Sequence, residues 1–230
     1  MIDSEEFEKK IGVSFKDKGL LKNAFVHRSY VNEHRDEVEA HNERLEFLGD
    51  AVLELVTTEF LYAKYPDKPE GELTSYRAGL VNTQTLSLAA KKLGMNDHLL
   101  LSKGEAKDTG RARQYILANT FEAFIGALYL DRGYDEAKKF IAEHLLPLTE
   151  EIVEKKLWLD AKSHFQEKAQ EFESKTPSYK MLSESGPDHD RHFSVGVYLG
   201  SELVAEGGGK SKQEAEQEAA RRGLELRSWI

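Results

Sequence analysis

The chain has no cysteine among its 230 residues. That absence excludes disulfides, thiolate metal sites and cysteine nucleophiles together. It also lacks any apolar run near the roughly 18 residues that a membrane-spanning helix needs. The first residues, MIDSEEFEKK, are acidic and mixed, unlike a secretory leader. These absences predict a chain without membrane partners and in the cytoplasm. Proline is scarce, with five residues, and basic charge is outnumbered: 32 Lys+Arg stand against 41 Asp+Glu, a formal net charge of −9. An acidic balance ordinarily argues against nucleic acid, whose phosphates attract basic surface. Composition alone therefore favours an enzyme or adaptor, and the length suits one large or two modest domains.

Over the first 150 residues the hydrophobic periodicity is helical. In 45–60 the residues Leu45, Leu48, Val52, Leu55 and Val56 recur at spacings of three and four. Further periodic stretches lie near 20–32, 72–94, 112–131 and 134–154. Pro66, Pro69 and Gly71, Gly94, Gly104 to Gly110, and Gly133 punctuate them. The character changes after Trp158. A polar helical pattern at 160–173 ends at Thr176-Pro177. Three short alternating runs follow, from Tyr179, from His192 and from Glu202 to Glu206. Gly207-Gly208-Gly209 then opens an Ala/Glu/Gln-rich helix at 211–226. The expected organisation is an all-helical domain over 1–153, a short linker at 154–158, and a small α-β-β-β-α domain over 159–230.

The most informative segment is Asn42-Glu-Arg-Leu-Glu-Phe-Leu-Gly-Asp50. On a helix Glu43, Glu46 and Asp50 fall within a sector of about 60°, with Leu48, Val52 and Leu55 opposite. A solvated acidic face would look the same. Two details point past it: Gly49 weakens the helix by roughly 1 kcal/mol while making room for a close approach, and no basic residue stands at a compensating spacing beyond Arg44, which points elsewhere. Farther on, Asn119 and Glu122 lie three apart with Gly126 on the same side. Two helices each presenting oxygens beside a glycine match a hard cation such as Mg²⁺, which takes carboxylates, waters and phosphates.

The C-terminal part is not basic either, with 12 Lys+Arg against 15 Asp+Glu over 151–230. Its signal is placement. Gly207 to Gly209, Lys210 and Lys212 lead into a helix, where backbone N–H groups and two lysines would converge on an anion. A P-loop would need glycine where Val204 stands. A plain turn before a surface helix fits the same residues.

The nine residues from Asn42 to Asp50 resemble the signature of bacterial ribonuclease III. So do LKNAFVHRSY at 21–30, Glu70-Gly-Glu-Leu, and the run from Phe121 to Gly133. The resemblance covers essentially the whole chain, since 159–230 resembles the double-stranded-RNA-binding domain that follows in that family. It implies an all-helical catalytic domain followed by an α-β-β-β-α RNA-binding domain. The activity implied is a Mg²⁺-dependent endoribonuclease, with Mn²⁺ able to substitute, that cuts double-stranded RNA, leaves short 3′ overhangs and processes rRNA and mRNA precursors. Glu46 and Glu122 would ligate the metal. Asp50 would sit there directly or through water, orienting the attacking hydroxide, and Asp50 and Glu122 would be catalytic. Glu43 would lie outside the immediate ligands.

Asn119 departs from the Asp usual in the family. It can still offer a carbonyl oxygen to the metal, with one charge fewer. The rival is a weakened or non-catalytic RNA-binding relative. On the RNA-binding domain Ser163, Gln166, Glu167 and Gln170 resemble the face that meets one minor groove. Pro187 and His189 resemble the loop entering the next, and Lys210 and Lys212 the pair that straddles phosphates. Relatives are homodimers, and Phe47 resembles the aromatic that inserts into the partner. An ordinary core phenylalanine is the other possibility.

Overall fold

The computed structural model describes residues 4–34, 40–154, 160–187 and 191–229. The chain divides into two compact units, Met1–Trp158 and Leu159–Ile230. Of the expected linker only Glu154 is described, as the last residue of a helix; 155–158 lie outside the described residues.

The first unit is helical. In chain order the α-helices are α1 (Ser4–Ile11), α2 (Lys18–Ala24), α3 (Arg28–Glu33), α4 (Glu43–Lys64), α5 (Glu70–Leu80), α6 (Thr83–Lys92), α7 (Arg111–Arg132), α8 (Tyr134–His144) and α9 (Thr149–Glu154). The longest are α4 and α7, each 22 residues. From Ile116 to Leu128 α7 is apolar nearly all round, which is the pattern of a central helix. It packs chiefly on α4, with α6 and α2 on its other sides. Rings interlock around it: Phe124 lies 5.5 Å from Phe15 and 4.9 Å from Phe140, centre to centre.

Three stretches that read as single helices are each broken. The 20–32 stretch divides because His27 caps α3, its Nδ1 accepting from Ser29 N. The 72–94 stretch divides at Asn82, whose side chain accepts from Thr85 N at 2.9 Å and starts α6. The 134–154 stretch passes through a 3₁₀ turn at Leu146–Leu148 that contains Pro147. Periodicity survives each break because the apolar face is shared across it.

The second unit has the order α10 (Ala161–Glu173), β1 (Pro177–Ser185), β2 (His192–Leu199), β3 (Glu202–Gly209) and α11 (Lys212–Leu226). Its strands pair antiparallel in the order β1-β2-β3. Phe165, Val197, Leu199, Ala205, Ala219 and Leu224 form its core. Asp160 caps α10 through Ser163 N at 2.9 Å. The triple glycine does not open the helix as the sequence suggested: it ends β3. A side chain on Gly207 would strike the α11 backbone at Ala215 and Ala219, so glycine here lets strand and helix touch. No helix among the described residues is long and apolar enough to cross a membrane.

Candidate metal centre and nucleic-acid interface

Leu45, Gly49, Val52, Leu53 and Val56 form the buried face of α4, turned toward α7. Leu55 does not belong to it, being 52% exposed, and Leu48 is half-buried. At the crossing two glycines meet. An ideal Cβ on Gly49 would lie 2.8 Å from Gly126 N and overlap the Glu122 carbonyl. One on Gly126 would lie 3.0 Å from Gly49 N and overlap the Leu45 carbonyl. The space that Gly49 leaves is thus taken by the backbone of α7. This approach offsets the roughly 1 kcal/mol that each helical glycine costs, and it carries Glu46 and Asp50 to the helix that bears Asn119 and Glu122.

The electrostatics record the convergence. Burial, then the charges of Asp50 and Glu46, push the Glu122 carboxyl up to about 8. Burial and then Glu43 and Asp50 raise Glu46, against the Asn119 amide, which donates toward its carboxylate. Asp50 is raised by burial and by Glu54. Glu43, which adds to the repulsion at Glu46, also faces Arg28 at 3.9 Å and His41 at 3.6 Å. Among the described residues no three His, Asp or Glu side chains close tightly enough to grip an ion by themselves. The carboxylates are near enough to repel, and oxygens of this kind are ones that Mg²⁺ takes together with waters and substrate phosphate oxygens. A divalent cation would relieve the repulsion that adds to burial in lifting Glu122.

Phe47 is 81% exposed, which removes the core alternative. With Leu55 and Tyr62, 76% exposed, it forms an apolar stripe along α4 turned away from α7. Sequence reasoning passed over Arg113. It is buried in α7, and its Nη2 donates to the carbonyls of Glu105 at 2.8 Å and Ala106 at 3.2 Å. Its Nη1 donates to Asn96 Oδ1 at 3.1 Å. The same loop is tied to α3, where Ser29 Oγ accepts from Ser102 N at 3.0 Å. A lone arginine in an amphipathic stretch carries no sign of this.

In the second unit Ser163, Gln166, Glu167 and Gln170 are exposed on one face of α10 and line a shallow depression with Glu171. Pro187 is exposed, and His189 lies outside the described residues. Lys210 and Lys212 are exposed at the start of α11. The anion cradle expected there is partly filled from within. Ser211 Oγ accepts from Glu214 N at 3.2 Å, and Glu214 Oε2 accepts from Lys210 N at 2.9 Å.

Residues 17–148 match the family described as Ribonuclease-III-like, and 161–226 match the double-stranded RNA binding motif. The chain is 44% identical to Ribonuclease 3 of Bdellovibrio bacteriovorus over 99% of its length and 98% of that protein's. It is 45% identical to Ribonuclease 3 of Enterococcus faecalis over 95% of each. The solved nuclease domain of ribonuclease III from Campylobacter jejuni, described as having a region involved in dimer formation, covers 65% of this chain and 97% of its own. It shows 38% identity and a TM-score of 0.56.

Proposed function

Because the chain belongs to the ribonuclease III family and is an endoribonuclease of double-stranded RNA, we propose that it works as a Mg²⁺-dependent homodimer. Each protomer would cut one strand and leave short 3′ overhangs, in the maturation of rRNA and mRNA precursors in the cytoplasm. The observation that carries this is the crowding of Glu46, Asp50 and Glu122 at the glycine crossing, with Glu122 raised to about 8. When bound, Mg²⁺ (or Mn²⁺) would lower the pKa of its water and offset charge on the phosphoryl oxygens. Glu46, Glu122 and Asn119 would hold the ion, Asn119 through its carbonyl oxygen. Asp50 would accept a hydrogen bond from the attacking water and orient it. No side chain need be the nucleophile.

Duplex RNA would be held by Ser163, Gln166, Glu167 and Gln170 and by Pro187 and His189 at minor grooves. Lys210 and Lys212 would bind phosphates. Such domains recognise shape across about 16 base pairs. The exposed Phe47 supports the dimer, as does an exposed stripe that would otherwise remain in water. Incubation with long duplex RNA tests the whole: cleavage in Mg²⁺ and none in EDTA is expected. Tight binding without cleavage in Mg²⁺ would establish the non-catalytic rival. In size-exclusion, Phe47→Ala should elute partly or wholly as monomer; an unchanged dimer would remove Phe47 from the interface.

A further inference from the structure

Arg111, Tyr115, Asn119 and Glu122 follow one another along α7 at spacings of four, four and three, which places them on one helical face. Exposure falls along that face. Arg111 is exposed, Tyr115 is 48% exposed, Asn119 and Glu122 are half-buried, and Gly126 is buried where α4 crosses. The face is therefore a ramp that descends from solvent to the carboxylates. At its open end the Arg111 guanidinium lies 5.9 Å from the centre of the Tyr115 ring, within cation–π range. Tyr115 packs in no core cluster, so burial does not account for an aromatic at this point.

We propose that Arg111 and Tyr115 form a subsite for the ribose–phosphate strand that flanks the phosphate to be cut beside the ion-holding residues Asn119 and Glu122. The inference rests on the function proposed above and extends it. A step of four residues along a helix rises about 6 Å, which is the order of one nucleotide along a strand. In a duplex the bases are stacked inside, so the Tyr115 ring meets a ribose edge and not a base face. The Arg111 fork suits the next phosphate and supplies positive charge where the face leaves the acidic cluster. The ring in turn holds the guanidinium in place, which reduces the freedom lost on binding.

The full-length parent is compared with Tyr115→Ala, Tyr115→Phe and Arg111→Ala on one duplex RNA. KM and kcat are measured in Mg²⁺, and duplex affinity is measured in a Glu122→Gln background. Tyr115→Ala is expected to raise KM and weaken affinity by about fivefold or more, with kcat, melting temperature and dimer elution near the parent's. Tyr115→Phe, which keeps the ring, should recover most of that loss. Arg111→Ala should weaken binding and make its salt dependence shallower by about one counterion. Affinities of Tyr115→Ala and Arg111→Ala within about twofold of the parent's would overturn the subsite, as would Tyr115→Phe behaving like Tyr115→Ala. A parent that neither binds nor cuts duplex RNA would instead refute the function on which the subsite rests.

Discussion

Both units contain a place where glycine lets two backbones touch, and the two are put to opposite electrostatic use. In the first, Gly49 and Gly126 join α4 to α7 and bring acids together, and burial, then the charges of Asp50 and Glu46, raise Glu122 to about 8. In the second, Gly207 seats β3 on α11, and the acids nearby are paired. Glu218 accepts from Arg221 and Arg222 at 2.8–3.0 Å, and Arg227 reaches Glu202 at 2.7 Å. Ion pairs on exposed helices contribute little individually, but they leave no concentrated field. Close approach by itself is thus a packing device; buried like charge at the approach is what makes the first a candidate functional site. A net charge of −9 is therefore not evidence against nucleic acid, because its location matters more than its sum.

Changing Glu122 should separate the two uses most sharply. Glu122→Gln is expected to lower cleavage on the order of a thousandfold. Above about pH 8, where Glu122 is ionised, the same change should raise the melting temperature of the metal-free protein, because it removes a charge held in a buried, acidic place. A drop in melting temperature in EDTA would mean that the carboxylate is structural. Next come the glycines. Gly49→Ala forces backbones apart and should destabilise the first unit by about 3 kcal/mol or more and abolish cleavage. Gly207→Ala should destabilise only the second unit and weaken duplex binding. Two-transition melts followed by calorimetry would show whether each change stays within its own unit.

A third prediction concerns pH. The folded-state pKa of Glu122 lies above its unfolded value near 4.5, so its contribution is fully present below about pH 4.5 and is lost as pH rises through about 8. Without metal the first unit should lose about 2 kcal/mol across that window, after allowance for solvent at this partly exposed group. Saturating Mg²⁺ should flatten the dependence, and melts at a series of pH values with and without EDTA would reveal a slope that Mg²⁺ fails to change. The smallest effect belongs to Asn119→Asp. The amide that donates toward Glu46 is replaced by another negative charge, so metal-free stability should fall by about 0.5–1 kcal/mol while Mg²⁺ affinity rises a few-fold. Cleavage should change little. A large gain in rate would show that the natural site is crippled.

Much of the fold was legible in the sequence. Helical spacing over the first 150 residues, three short strands after Trp158 and the polar helix before them all appear where they were expected. The errors have physical causes. Leu55 was assigned to the buried stripe of α4, yet this helix is apolar on two sides, and periodicity cannot say which side meets α7. The breaks at His27 and Asn82 came from side-chain caps inside unbroken apolar patterns. The Gly207–Gly209 run read as the opening of the last helix because glycine is common where one element gives way to another, although here it ends a strand and Gly207 serves packing. Arg113 gave no signal because its partners are backbone carbonyls of a loop.

By itself the sequence determined which residue types recur in helical phase, and therefore that Glu46 and Asp50 share one helix flank while Asn119 and Glu122 share another. Those relations are local and follow from 3.6 residues per turn. Only the tertiary structure decided that the two flanks face each other. The contact of Gly49 with Gly126 depends on two segments far apart in the chain, and so does the raised carboxyl of Glu122. Charge repulsion depends on distance through space, and no spacing within either segment contains that distance.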